Sequence, residues 1–129
     1  MPLVTITIQK TGDKTRKKAL LDGVHAALVA HFKIPERDRT QRLLELEPEN
    51  FDIPPGKSGL FTIVEIQAFA GRSLDAKRAL YKGIVEQLEK AGVPPLDVFI
   101  VLNDIPRENW GLRGGQAGCD IDFSFTIDV

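Results

Sequence analysis

Cysteine, histidine and charge of one sign are all scarce in this chain, and each scarcity closes a line of explanation. Cys119 is the one cysteine, so no internal disulfide framework can form, and a reducing compartment such as the cytoplasm suits the chain. Neither that thiol nor Tyr81 has a sequence neighbour that argues a nucleophile or a base. The histidines, His25 and His31, fall on one predicted helix with no carboxylate or cysteine at ligand spacing, so no metal site is expected. Lysine and arginine number 17 against 18 acidic residues, for a net charge of −1. Such a balance sets up no field to recruit nucleic acid or an anionic membrane. Nothing approaches the ~20 apolar residues of a membrane span, and no charged-then-apolar leader precedes the first strand. What is present, 43% hydrophobic and 27% charged residues over 129 positions, is the makeup of one globular domain with a sizeable core.

The chain opens MPLVTITIQ. Val4, Ile6 and Ile8 alternate with Thr5, Thr7 and Gln9, the period-two pattern of a half-buried strand. A proline at position 2 is tolerated there because no ladder bond need start at a strand's first residue. Further on, TRKKALLDGVHAAL (15–28) aligns with DAKRALYKGIVEQL (75–88) at an offset of 60 residues, matching Lys17 with Lys77, Ala19 with Ala79, Leu20 with Leu80, Gly23 with Gly83 and Leu28 with Leu88. The register continues through Ile34-Pro35 and Pro94-Pro95. It slips by one where Pro48-Glu49-Asn50-Phe51 resembles Arg107-Glu108-Asn109-Trp110. The pattern is that of a duplicated unit within a single domain over 1–129, with halves 2–58 and 59–129.

Each half reads strand, helix, strand: 3–8, 13–31 and 39–46, then 60–68, 74–91 and 98–103. Leu20, Val24, Leu28 and His31 form one helical stripe, and Leu80, Ile84, Leu88 and Ala91 the other. Asp13 and Ser73 are the expected N-caps. The basic run QKTGDKTRKKAL reads as a solvated face at the first helix start. Val98–Leu102 is continuously apolar, as in a strand covered on both faces. Two right-handed crossovers give an α/β (α+β) fold, a four-stranded sheet with two helices on one face. The other face is left bare, so oligomerisation is expected. The alternating tail FSFTIDV (123–129) reads as a strand available to a neighbouring subunit.

Two glycine-rich stretches invite nucleotide readings and fail them. Gly56-Lys57-Ser58 lacks the glycine five positions earlier, where Phe51 stands, and is followed by a strand instead of a helix. Gly111-Leu112-Arg113-Gly114-Gly115 has no strand-to-helix turn around it. More informative is where the halves differ. Thr11-Gly12-Asp13 becomes Gly71-Arg72-Ser73, which puts a guanidinium at a helix N-terminus, where an anion such as a carboxylate is favoured; the alternative is a surface arginine paired with Asp75. Asp38 in PERDRTQ falls, at the same offset, where the second half has Val98. It is a candidate catalytic carboxylate or one member of a surface charge cluster with Glu36, Arg37 and Arg39.

MPLVTI, IPERDRTQ, AGRSLDAKRALYKGI and ENWGLRGGQ together resemble the tautomerase superfamily across essentially the whole chain, and most resemble its malonate semialdehyde decarboxylase branch. The resemblance implies β–α–β units, a homotrimer, no cofactor, and a catalytic amino-terminal proline. Initiator methionine is normally removed before proline, which would expose a secondary amine at Pro2. The family's aspartate falls on Asp38 and its principal substrate-binding arginine on Arg72. Its aromatic pocket residue falls on Trp110, with Leu112 where a second aromatic is expected, and Ala70 stands where the decarboxylase has another arginine. Trp110 lines the pocket or packs as ordinary core; Arg113 is a second anion contact or caps the glycine-rich loop.

An ordinary α-amino group titrates near 8. Burial and Arg72 would lower that value for Pro2, and Asp38 would raise it. Neutral Pro2 could move a proton next to a carbonyl, as in keto–enol tautomerisation of the phenylpyruvate or 2-hydroxymuconate type. Protonated Pro2 could polarise a 3-oxo acid's carbonyl while Arg72 positions the carboxylate to leave as carbon dioxide, with Asp38 orienting Pro2 or activating water for a hydratase side reaction. The expected substrate is a small carboxylate bearing a carbonyl. A non-catalytic binding or signalling member of the superfamily is the remaining alternative.

Overall fold

The computed structural model describes residues 2–123. The elements are β1 (Pro2–Gln9), α1 (Lys14–Phe32), β2 (Thr40–Leu46), β3 (Thr62–Phe69), α2 (Leu74–Lys90), β4 (Val98–Ile105) and a short hairpin of β5 (Gly111–Leu112) and β6 (Gln116–Ala117). Apart from the hairpin, these are the expected elements with ends moved by one or two residues. Of the tail strand expected at 123–129, residues 124–129 lie outside the described residues. Each helix begins at its expected cap. The Asp13 Oδ1 accepts from the Arg16 N–H at 3.0 Å, and the Ser73 Oγ accepts from the Ala76 N–H at 3.1 Å, contacts worth about 1 kcal/mol each.

The four long strands form a sheet in the order β2-β1-β3-β4, parallel within each half and antiparallel where β1 meets β3. Val4, Ile6 and Ile8 of β1 and Val64 and Ile66 of β3 turn inward against Leu20, Val24 and Leu28 of α1 and Leu80, Ile84 and Leu88 of α2. Burying each such side chain contributes roughly 1.5–3 kcal/mol, and both helices cover the same face. Gly23 and Gly83 let the helices cross closely. A Cβ at Gly23 would lie 3.0 Å from the Gln87 Cβ, and one at Gly83 would lie 2.7 Å from the His31 ring.

β4 departs from the expected double cover. Its residues alternate between half-buried and exposed, with Phe99 52% and Val101 38% exposed. The apolar run therefore has one face on the helices and another on the bare side of the sheet, where Leu44 is 48% exposed. An absence of alternation reports two apolar faces; it does not say that this chain covers both.

The register also corrects the matching of the halves. Leu3 pairs with Thr40 across β1 and β2, while its counterpart Ile63 pairs with Phe99 across β3 and β4. The second crossover is thus one residue shorter than the first, and the counterpart of Asp38 is Asp97, not Val98. Asp97 is buried and accepts hydrogen bonds from the Ser58 N–H at 3.2 Å and from the Ser58 hydroxyl.

Candidate active site

Strand direction alone gathers the candidate residues. β1 and β2 start at the end of the sheet where β3 and β4 finish, since β1 runs antiparallel to β3. Pro2 opens β1 and pairs with Ala68, one residue from the end of β3. Asp38 lies two residues before β2, whose first residue Thr40 pairs with Leu3 beside Pro2. Pro2 is buried and Asp38 half-buried.

The turn that carries Asp38 is held to α1 at several points. The Asp38 N–H donates to the Pro35 carbonyl at 3.0 Å. His25 is 4% exposed, and its Nε2 lies 2.9 Å from the Glu36 carbonyl. A carbonyl can only accept, so that nitrogen carries the proton. Arg39 reaches back to Asp22 at 2.5 Å, and the Gln41 side-chain amide donates to the Leu21 carbonyl at 2.9 Å. Hydrogen bonds from Lys18 and Arg39 hold the Asp22 carboxyl below its ordinary value of 3.8. Of the cluster's other members, Arg39 turns to Asp22 and the exposed Glu36 side chain comes to 3.3 Å from His25 Nε2.

Arg72 is not the surface arginine of the alternative reading. It is 6% exposed, and Asp75 pairs instead with Arg78 at 3.0 Å. Gly71, at φ 136°, makes the turn out of β3 in a region that disfavours residues with a Cβ. Arg72 then donates through Nη1 to the Phe69 carbonyl at 3.2 Å and through Nη2 to the Phe32 carbonyl at 3.3 Å. Its guanidinium carbon stands 4.8 Å from the centroid of the Phe32 ring. Two of its five N–H donors therefore join the end of α1 to the end of β3.

Trp110 follows a 3₁₀ turn at Arg107–Asn109. Its indole N–H donates to the Ile105 carbonyl at 3.2 Å, and its ring meets Phe69 edge-on at 5.1 Å. The same Ile105 carbonyl accepts from the Ala70 N–H at 3.0 Å, so Trp110 is tied to the finish of β3 and β4. Leu112 is half-buried in β5 opposite Gln116. Arg113 is exposed and takes a left-handed φ of 48° in the hairpin turn. Its carbonyl accepts from the Gln116 side chain at 3.3 Å, and its guanidinium lies 5.4 Å from the Phe123 ring centroid. The sequence reading missed His25, Phe69 and Arg107. His25 had no ligand-like neighbour in sequence, Phe69 fell one residue beyond the expected strand, and Arg107 entered only as part of the repeat match.

A groove between the helices, lined by Ala19, Asp22, Gly23, Ala26, Gln87, Lys90 and Ala91, contains none of the candidate residues. No group of three or more metal-ligating side chains occurs among the described residues, and no described helix is long and apolar enough to cross a membrane.

A mixed four-stranded sheet built from two β–α–β units, with both helices on one face, is the architecture of a tautomerase-like fold. The chain belongs to the tautomerase family of enzymes: one model described as "Tautomerase enzyme" matches residues 38–113, and a second with the same description matches residues 2–56. It is 27% identical over 123 residues to the "Probable tautomerase YrdN" of Bacillus subtilis (strain 168), covering 91% of this chain and 95% of that one. It is 35% identical to the 2-hydroxymuconate tautomerase of Comamonas testosteroni over 54 residues, which are 41% of this chain and 86% of the other. Among solved structures, the FG41 malonate semialdehyde decarboxylase inhibited by 3-bromopropiolate superposes with a TM-score of 0.82 at 30% identity, over 89% of this chain and 92% of that one. Another malonate semialdehyde decarboxylase gives 0.84 at 25% identity, over 93% and 99%.

Proposed function

We propose that this is a cofactor-independent enzyme that decarboxylates a small 3-oxo acid, with Pro2, Asp38 and Arg72 as its working groups in one domain over 1–129. The observation that carries the reading is the buried Arg72 at the sheet end where Pro2 opens β1 and Asp38 precedes β2. Once methionine is removed, the secondary amine of Pro2 is the group that acts on the carbonyl. Asp38, with its turn held to α1, favours the protonated amine, which polarises the 3-oxo group. Arg72 orients the carboxylate. The bond to that carboxylate breaks, carbon dioxide leaves, and the electron pair forms an enol that is reprotonated at carbon. Trp110 and Leu112 line the pocket, and Arg113 closes the hairpin that carries them. A decarboxylase named for malonate semialdehyde, similar at 30% identity over most of both chains, supports this assignment.

Keto–enol tautomerisation is the second reading. Ala70 favours it, because the site lacks the extra guanidinium that the decarboxylase resemblance implies, as does the likeness of the first half to a 2-hydroxymuconate tautomerase. A homotrimer fits both readings: the bare sheet face exposes Leu44, Phe99 and Val101, and a fused 4-OT of similar structure, 26% identical, is a symmetric trimer.

The test is proton NMR of malonate semialdehyde and ultraviolet assay of phenylpyruvate enol with wild type and Arg72→Ala. Decarboxylation that falls by about 100-fold or more in the variant is expected. Arg72 also holds two carbonyls, so the variant should lose stability as well, by roughly 1–3 kcal/mol per buried acceptor left without a partner. Thermal melting run beside the kinetics separates the two losses. Undiminished kinetics in a folded variant would remove Arg72 from the mechanism.

A further inference from the structure

Arg72 stands between two helix ends. It precedes Ser73, the N-cap of α2, and its Nη2 donates to the carbonyl of Phe32, the last residue of α1. The last carbonyls of a helix have no partner inside it and carry partial negative charge, so the end of α1 suits a cation. Phe32 also stacks on the guanidinium. Its ring centroid is 4.8 Å from the Arg72 guanidinium carbon, and the residue is 1% exposed. One residue thus meets Arg72 twice, through its carbonyl and through its ring face. Stacking on an aromatic face limits the tilt of a planar guanidinium. The chain is held directly after Phe32 as well. Lys33 takes a left-handed φ of 56°, and its Nζ donates to the Ala30 carbonyl at 2.7 Å.

The duplicated half shows that the fold itself does not require a ring at this point. Gly92, at φ 94°, closes α2 as Lys33 closes α1, so the counterpart of Phe32 is Ala91. The counterpart of Arg72 is Gly12, which precedes the Asp13 cap of α1. The half that lacks the guanidinium ends its helix on alanine, and the half that carries the guanidinium ends its helix on phenylalanine.

We propose that Phe32 is a positioning residue for Arg72, its ring and carbonyl together setting the plane in which the guanidinium meets the substrate. This rests on the reading of Arg72 as the group that orients a carboxylate. A guanidinium and a carboxylate form two parallel hydrogen bonds only when their planes coincide. A tilted guanidinium keeps its charge and loses that paired contact.

The test uses pyruvate and pyruvamide, which share a carbonyl and differ in charge, titrated calorimetrically into methionine-free protein. Wild type should bind pyruvate at least about tenfold tighter than pyruvamide, and Arg72→Ala should remove that preference. Phe32→Leu keeps the backbone carbonyl and removes the ring. It should cut the preference to about threefold or less by weakening pyruvate alone. Phe32→Tyr, which keeps the ring face, should retain most of the preference. Phe32→Met supplies the same ringless comparison if the leucine variant does not fold. Loosened packing weakens both ligands alike, so the ratio of affinities follows the guanidinium and not stability. An undiminished ratio in a folded ringless variant, or equal weakening of both ligands, would overturn the proposal. Equal binding by wild type, or a preference that survives Arg72→Ala, would instead sink the reading of Arg72 as the carboxylate's partner, and the proposal with it.

Discussion

His25 has no charge partner at helical spacing, yet it sits 2.9 Å from the Glu36 carbonyl in the turn that carries Asp38. Its effect on the reaction would pass through Asp38, which makes it a positioning residue. Replacing it with leucine removes the donor and lets the turn relax, and displacements of about 1 Å at a reacting group cost on the order of 100-fold in rate. His25→Leu should therefore slow turnover and move the inflection of Pro2 reactivity to lower pH, because a retreating Asp38 stabilises the protonated amine less. His25→Gln, which places an N–H near the same point, should restore both. A change in melting temperature with the pH profile unmoved would reduce His25 to a structural role. At this scale the sequence offers candidates where residue type announces chemistry, as at Pro2 and Arg72. It was silent where a side chain works through a backbone carbonyl, as His25 does and as Arg72 does toward Phe32 and Phe69.

At the scale of elements, the caps were readable because they obey local rules. Asp13 and Ser73 begin α1 and α2 as their chemistry requires. The one-residue difference between the crossovers was not readable, because nothing in the composition of a turn records register. It took strand pairing to match Asp38 with Asp97, whose carboxylate is closed off by Ser58 in the second half. The 3₁₀ turn and hairpin after β4 depend on contacts made at no regular spacing. Gly118 is the tightest of these, with the Arg107 carbonyl on one side and the Trp110 Cβ 3.3 Å from its missing methyl. Backbone cannot swing aside as a side-chain end can, so Gly118→Ala should destabilise this segment by about 1–3 kcal/mol. The checks are a fall in melting temperature and a changed Trp110 fluorescence; identical values would show that the turn does not close this tightly.

For the whole molecule, the informative misreading is β4. An apolar run suggested cover on both faces, and the chain covers one. The exposed Phe99 and Val101 lie on the bare side the sequence had anticipated, the face proposed above for the homotrimer. Val101→Lys should give a species of about one third the mass by sedimentation equilibrium, with activity lost alongside. A wild-type protein that sediments as a monomer at micromolar concentration would contradict the homotrimer.

The central claim is that the amine of Pro2 does the chemistry. The pH dependence of its alkylation by 3-bromopyruvate, read by mass spectrometry of the amino-terminal peptide, tests it most directly, and the same spectrum shows whether Met1 has been removed. The decarboxylase account predicts a single adduct on Pro2 with an inflection above about 8, the ordinary value for an α-amino group, because Asp38 outweighs Arg72. An inflection below that value would move the assignment to the tautomerase reading. A methionine-free protein that takes no label on Pro2 at any pH would contradict the account.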